Sequence, residues 1–181
     1  NRTLAEVPGM VAEALELAEI EFRRRNVRLT HHIAARLPTL QVDPILIEQV
    51  LVNLLKNAAE SIDAAHRPTS RRHVELRVVP RIESEQRVVE FSVTDTGQGL
   101  APEVLDRLFE AFFSTKAEGM GIGLNLCRSI VESHHGRMQA ENLYNGSEVT
   151  GCRFSFWLPL AKPVDATTNS VANAQPPRTI A

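Results

Sequence analysis

The sequence predicts an α/β (α+β) fold, a two-layer sandwich of about three helices packed on one face of a mixed, mostly antiparallel sheet. Three observations predict it. Apolar residues recur at three- and four-residue steps in three separate stretches, near 4–25, 43–62 and 121–135. Other stretches alternate apolar with polar residues, as half-buried strands do. Helices and strands interleave within 181 residues, about the length of one domain.

The elements follow in order. Leu4, Val7, Val11, Leu15, Ala18 and Phe22 form the first helical stripe, over roughly 4–25. Val27, Leu29 and Ile33 then alternate as a strand. Asp43-Pro44 reads as a cap followed by proline at the first helical position. The helix it opens carries Ile47, Val50, Leu51, Leu54, Ala58 and Ile62 on one face. Val74, Leu76 and Val78 form a second strand, and Val89, Phe91 and Val93 a third. Residues 96–120 carry glycine and phenylalanine with little periodicity, so a long loop is expected there. A helix over about 121–135 directs Ile122, Leu126, Ile130 and Val131 inward, and Gly136 stands where a left-handed cap residue is wanted. Two more strands are expected near 137–142 and at 151–158, the latter alternating Cys152, Phe154, Phe156 and Leu158. A domain of residues 1–160 would thus precede a tail, 161–181, whose three prolines and few large apolar residues predict disorder.

Composition excludes several classes. A chain that is 43% hydrophobic and 23% charged is an ordinary soluble globular one. Its net charge of −2 offers no basic face, so nucleic acid is not an expected partner, and Arg67, Arg71 and Arg72 read as a solvated basic turn. Cys127 and Cys152 lack metal-ligand spacing and fall in apolar-patterned segments, as buried reduced thiols do. The pairs His31–His32 and His134–His135 are adjacent residues that point apart, a poor arrangement for a metal. There is no membrane-length apolar run and no signal peptide, so a cytoplasmic location is expected. The first residue is Asn1, not Met, as in a fragment of a longer parent.

Three segments carry the chemistry. In EQVLVNLLKNAAES, Asn53 and Asn57 lie four apart on one helix face, with Gln49 a turn before and Glu60 about a turn after. Asparagine is a poor helix former, so two in mid-helix need a reason; a carboxamide oxygen is a hard ligand suited to Mg²⁺. In VEFSVTDTGQGL, Asp95 keeps the parity of Val89, Phe91 and Val93 and points to the buried side. A carboxylate there needs donors, and the exocyclic amine of adenine is one that guanine lacks at that position. Gly97 and Gly99 let the chain turn and leave room for the base, and Ser61, small and one turn beyond Asn57, helps leave that space. In EGMGIGLNL, Gly119, Gly121 and Gly123 can bring backbone N–H groups against phosphate oxygens at a helix N-terminus. Ile122 and Leu124, interleaved with them, belong to the same nucleotide-binding run. It is neither a Walker loop nor a GxGxxG fingerprint, since no Gly-Lys-Ser/Thr follows and Leu124 replaces the third glycine. Thr115 and Lys116 lie just upstream, where the lysine can reach a phosphate.

These segments resemble the catalytic, ATP-binding domain of sensor histidine kinases, within the superfamily shared with gyrase, Hsp90 and MutL. The likeness covers roughly 4–160, and four motifs occur in the family's order. An N box is read in DPILIEQVLVNLLKNAAESI, a first glycine box in DTGQGL, an F box in LFEAFFSTK and a second glycine box in GMGIGL. The resemblance implies that Asn57 holds Mg²⁺, Asp95 binds adenine, and Gly119, Gly121 and Gly123 line the phosphates of ATP. It also implies an ATP lid over 96–120, with Lys116 reaching the phosphates. The lid is short between Lys116 and Gly119, as in kinases resembling the nitrogen- and oxygen-sensing group. Three departures stand out: Ala111 replaces a common F-box proline, Cys152 replaces the threonine of the last motif, and no phosphoacceptor histidine motif is present.

The reaction implied is transfer of the ATP γ-phosphoryl to a histidine on a separate dimerisation domain of a homodimeric parent, with a response regulator receiving it later. This domain alone would be monomeric. Such transfer needs positioning and charge neutralisation, assigned here to Asn53, Asn57, Lys116 and the glycine-run amides. The rival is a superfamily ATPase or protein-serine kinase, whose relatives place a glutamate base one turn before the Mg-binding asparagine. Asn53 stands there instead, and a carboxamide takes no proton at neutral pH.

Overall fold

The computed structural model describes residues 1–109 and 121–161. The elements run β1 (Thr3–Ala5), α1 (Val7–Arg24), β2 (Arg28–Ile33), β3 (Leu40–Val42), α2 (Pro44–Ala64), a 3-10 turn (Thr69–Arg71), β4 (His73–Glu83), β5 (Gln86–Asp95), α3 (Pro102–Arg107), α4 (Gly121–Ser133), β6 (Arg137–Asn145) and β7 (Glu148–Pro159). Five strands form one sheet in the order β2-β4-β5-β7-β6, with only the β2–β4 pair parallel. This is the predicted mixed, mostly antiparallel sheet.

Strand alternation decides which side is covered. Val74, Leu76 and Val78 of β4, Val89, Phe91 and Val93 of β5, and Cys152, Phe154, Phe156 and Leu158 of β7 are all buried. Phe91 and Phe156 are direct cross-strand partners whose rings stack at 4.7 Å. Over this face lies α2, buried at Ile47, Val50, Leu51, Leu54, Leu55, Ala58, Ala59 and Ile62. Helices α1 and α4 both pack against it. Asp43 caps α2 by accepting the Leu46 N–H at 3.4 Å, and Pro44 follows as expected.

His134 joins the end of α4 to the start of α2. The Asp43 N–H donates to its Nε2 at 3.1 Å, so Nδ1 carries the proton and donates to the Ile130 carbonyl at 2.7 Å. Among the described residues, no group of three or more His, Cys, Asp and Glu side chains is placed to hold a metal.

Several expectations are corrected. The first helix does not begin at residue 4: residues 3–5 form β1, which pairs antiparallel with β3 in a separate two-stranded sheet. Leu4 is accordingly 65% exposed. Two strands of three residues are too short for periodicity to reveal. Leu126 is 49% exposed instead of inward, because the buried stripe of α4 runs through Cys127, Ile130, Val131 and His134. The segment after residue 96 is not wholly loop: α3 lies within it and Leu108 is buried. The rest of that expectation, residues 110–120, lies outside the described residues, as does the tail from 162. Among the described residues no helix is long and apolar enough to cross a membrane.

The predicted left-handed cap at Gly136 is also displaced, by one residue. All three long helices end in the same paired hydrogen bonds, 6→1 and 5→2. For α1 these are Val27 N–H to Phe22 at 2.9 Å and Asn26 N–H to Arg23 at 3.1 Å. For α2 they are Arg67 to Ile62 at 3.5 Å and His66 to Asp63 at 3.0 Å. For α4 they are Gly136 to Val131 and His135 to Glu132, both at 3.0 Å. The left-handed residues are therefore Asn26, His66 and His135, with φ of 53°, 51° and 65°. Gly136 is required for another reason: a Cβ there would sit 2.1 Å from the Trp157 carbonyl of β7.

The two positions should respond oppositely. His135→Gly removes a left-handed L-residue at an exposed site and should stabilise the fold by about 0.5–1 kcal/mol. Gly136→Ala forces a backbone clash and should cost on the order of 1–3 kcal/mol. Urea unfolding of the two variants beside the parent chain measures both signs.

Candidate nucleotide site

Asp95 is the last residue of β5 and only 3% exposed, as its strand parity predicts. Its Oδ1 accepts the Gly97 N–H at 2.8 Å, and the Cys152 N–H across the strand pair also bonds the carboxylate. Desolvation is the larger influence and pushes its pKa up to about 6; the two N–H bonds pull the other way. The backbone around it is crowded to contact. A Cβ on Gly151 would lie 1.9 Å from the Asp95 carbonyl, and one on Gly97 would lie 2.3 Å from Ser61 Oγ. Asp95, Gly97 and Ser61 are thus brought together, with the hydroxyl of Ser61 against the turn itself. Gly99 adopts φ +72° with Val149 close behind it, so glycine is favoured there by backbone geometry and at Gly97 by the close approach of Ser61.

Helix α2 carries Asn53, Asn57 and Ser61, all half-buried, one turn apart along one side. The Asn53 amide donates to Cys127 Sγ at 3.6 Å, a weak contact that ties α2 to α4. Gly121 opens α4 and Gly123 lies in its first turn, where N–H groups have no partner within the helix. Among the described residues, a Cβ on Gly123 would meet nothing within 4 Å. Leu124 is half-buried and packs against the core. Of Ile122 only its place in α4 is described, and Thr115, Lys116 and Gly119 lie outside the described residues.

Several residues that complete the site were not singled out. The Asn142 side chain of β6 pairs with the backbone of Leu100, accepting its N–H at 2.8 Å and donating to its carbonyl at 2.5 Å. An asparagine within a strand is disfavoured, and that was the available signal. Cys127, which holds Asn53, looked only like core. Arg67 and Arg72 of the basic turn are held by carbonyls and a carboxylate instead of being solvated. Arg67 donates to the Thr96 carbonyl at 3.0 Å and to the Gly97 carbonyl at 2.9 Å. Arg72 pairs with Asp63 and bonds the carbonyls of Asn26, Arg67 and Arg25. Charge alone could not distinguish these from solvated arginines. Both cysteines are free and buried, as expected, and desolvation raises the Cys127 thiol to about 11 and the Cys152 thiol to about 12.

The donor set suits a nucleotide with a hard cation. A buried carboxylate stands at a strand end, two carboxamides lie along the neighbouring helix, and Gly121 and Gly123 stand in the first turn of α4. Residues 42–162 match the family described as histidine kinase-, DNA gyrase B- and HSP90-like ATPases, and the chain belongs to that family. Its likeness within the family is to sensor histidine kinases. It is 43% identical over 133 residues to a C4-dicarboxylate transport sensor protein of Rhodobacter capsulatus, covering 74% of this chain and 19% of that protein. It is 38% identical over 161 residues to the sensor protein FixL of Bradyrhizobium diazoefficiens, covering 89% of this chain and 30% of that one. The chain therefore spans about a fifth to a third of these relatives. The catalytic domain of the histidine kinase ThkA superposes with a TM-score of 0.69 at 27% identity, over 88% of this chain and 95% of that domain. Full-length ShkA, solved in complex with AMPPNP, gives 0.71 at 26% identity over 90% of this chain and 32% of that one.

Burial of Asp95 has a consequence for stability. Its folded pKa, about 6, lies above the model-compound value of 3.8. The native state thus holds this proton more tightly than the unfolded state, and stability falls as pH rises from 4 through 6. Above that window the carboxylate costs on the order of 3 kcal/mol. Asp95→Asn should therefore be more stable than the parent at pH 7.5, with the advantage shrinking toward pH 4. Denaturation midpoints at the two pH values check this.

Proposed function

We propose that this chain binds MgATP and transfers its γ-phosphoryl group to a histidine on a separate dimerisation domain of the same parent protein. The observation that carries the reading is Asp95, a desolvated carboxylate held at the end of β5 beside the amide-bearing side of α2. The family assignment and the AMPPNP complex of a relative support it.

In this reading the adenine amine donates to Asp95, which exchanges the carboxylate's lost hydration for a directed hydrogen bond. Guanine presents a carbonyl there and is repelled. The phosphates lie toward the N-terminus of α4, where the amides of Gly121 and Gly123 face developing negative charge. Gly119, Thr115 and Lys116 would serve the same phosphate end, the lysine as a neutralising cation. Asn57 would hold Mg²⁺ through its carboxamide oxygen, and Ile122 and Leu124 would flank the nucleotide. When bound, the ion neutralises phosphate charge and draws electron density from the transferring group. Asn53, whose amide meets Cys127 Sγ, presents an amide and not a carboxylate near the transfer point. It can orient the incoming imidazole but cannot deprotonate a water or hydroxyl, which separates this reading from an ATPase or a serine kinase. A response regulator would then take the phosphoryl group, the parent would act as a homodimer, and this domain would work in the cytoplasm.

Calorimetric titration of a non-hydrolysable ATP analogue into the chain tests the pocket. Saturable binding that strengthens with Mg²⁺ and exceeds binding of the guanine analogue at least tenfold is expected. Asp95→Asn should lose that preference, and Asn57→Ala should lose the Mg²⁺ enhancement while keeping the preference for adenine. Binding that ignores Asp95→Asn would overturn the assignment. With a histidine-bearing partner domain supplied, Asn53→Glu should give no increase in transfer to histidine.

A further inference from the structure

The Thr96 carbonyl and the Gly97 N–H belong to one peptide plane. On its carbonyl side, Arg67 Nε donates at 3.0 Å, and Arg67 Nη2 reaches the next carbonyl, Gly97, at 2.9 Å. On its amide side, the Gly97 N–H donates to Asp95 Oδ1 at 2.8 Å. A guanidinium fork thus holds two successive carbonyls, and the first of them polarises and orients the N–H that Asp95 receives. Thr96 is held independently: its hydroxyl donates to the Arg71 carbonyl and accepts the His73 N–H at 3.3 Å.

Arg67 is itself aimed by the end of α2. The left-handed turn at His66 and the bond from the Arg67 N–H to Ile62 reverse the chain after the helix. The Arg67 carbonyl then accepts from Arg72 Nη1 at 3.1 Å, and Arg72 is anchored on Asp63 and on the end of α1. One helix therefore carries Asn53, Asn57 and Ser61 along its side and, from its C-terminal end, aims Arg67 at the 96–97 peptide.

We propose that Arg67 is a positioning residue of the nucleotide site, holding the 96–97 peptide so that Asp95 meets the adenine ring, and acting on base recognition without touching the phosphate end. This rests on the assignment of Asp95 to adenine. A lysine cannot replace the fork, because one ammonium does not span two carbonyls with fixed geometry.

The test is calorimetric titration of ADP and GDP, with and without Mg²⁺, into the chain and its Arg67→Ala, Arg67→Lys and Asp95→Asn variants, at a temperature below each variant's unfolding transition. Arg67→Ala should weaken ADP binding about tenfold or more and erode the ADP-over-GDP preference by a similar factor. The Mg²⁺ enhancement should stay as in the parent. The pH below which ADP binding fails should move upward, since a bond favouring the carboxylate is loosened. Arg67→Lys should follow in the same direction, and it decides the matter if Arg67→Ala does not fold. A folded Arg67 variant with unchanged base preference and unchanged acid limit overturns the proposal and leaves Arg67 a stabilising contact only. Full ADP preference in Asp95→Asn would instead overturn the pocket assignment underneath it.

Discussion

Everything around the site depends on keeping one carboxylate out of water. Asp95 is destabilised where it stands, and the structure compensates with geometry in place of a buried cation among the described contacts. Two backbone N–H groups reach it, one from the turn that follows and one from the neighbouring strand. Each demands close packing: Gly97 lies against Ser61, and Gly151 lies against the Asp95 carbonyl. A side chain at either glycine would push apart the elements that make the carboxylate useful.

The second constraint is that α2 serves as the reference for every other part of the site. Its start is fixed by Asp43 and Pro44 and by His134 reaching from α4. Its side is held through Asn53 and Cys127, and its end aims Arg67 at the glycine turn. A helix held at both ends keeps the side chains along it in fixed register with its neighbours. Gly121 and Gly123 stand in the first turn of α4, and α4 packs on α2.

The helix ends illustrate how tertiary context chooses among local options. Asn26, His66 and His135 accept left-handed geometry at a cost of about 1 kcal/mol each relative to glycine. The one glycine nearby, Gly136, is reserved for an approach to Trp157 that no other residue would allow. Gly136 is therefore as necessary as a cap glycine, though for a contact with a strand 21 residues away in the chain.

Periodicity by itself determined the sandwich, because a 3.6-residue stripe on α2 and a two-residue alternation on β4, β5 and β7 each report burial on one side. The same local logic placed Asp95 inward and Asn53, Asn57 and Ser61 on one helix side, since strand parity and helical phase need no knowledge of what lies across the gap. Tertiary structure alone decided the rest. Whether Arg67 is solvated or clamps two carbonyls depends on where β5 ends relative to α2, a distance of 30 residues in sequence. Whether Asn142 lies idle or pairs with Leu100 depends on a strand 42 residues further on. Short pairings such as β1 with β3, and the switch of inward residues on α4 from Leu126 to Cys127, follow from partners that no local window contains. Hydrophobic pattern is written along the chain, whereas a hydrogen bond's partner exists only once the chain has folded.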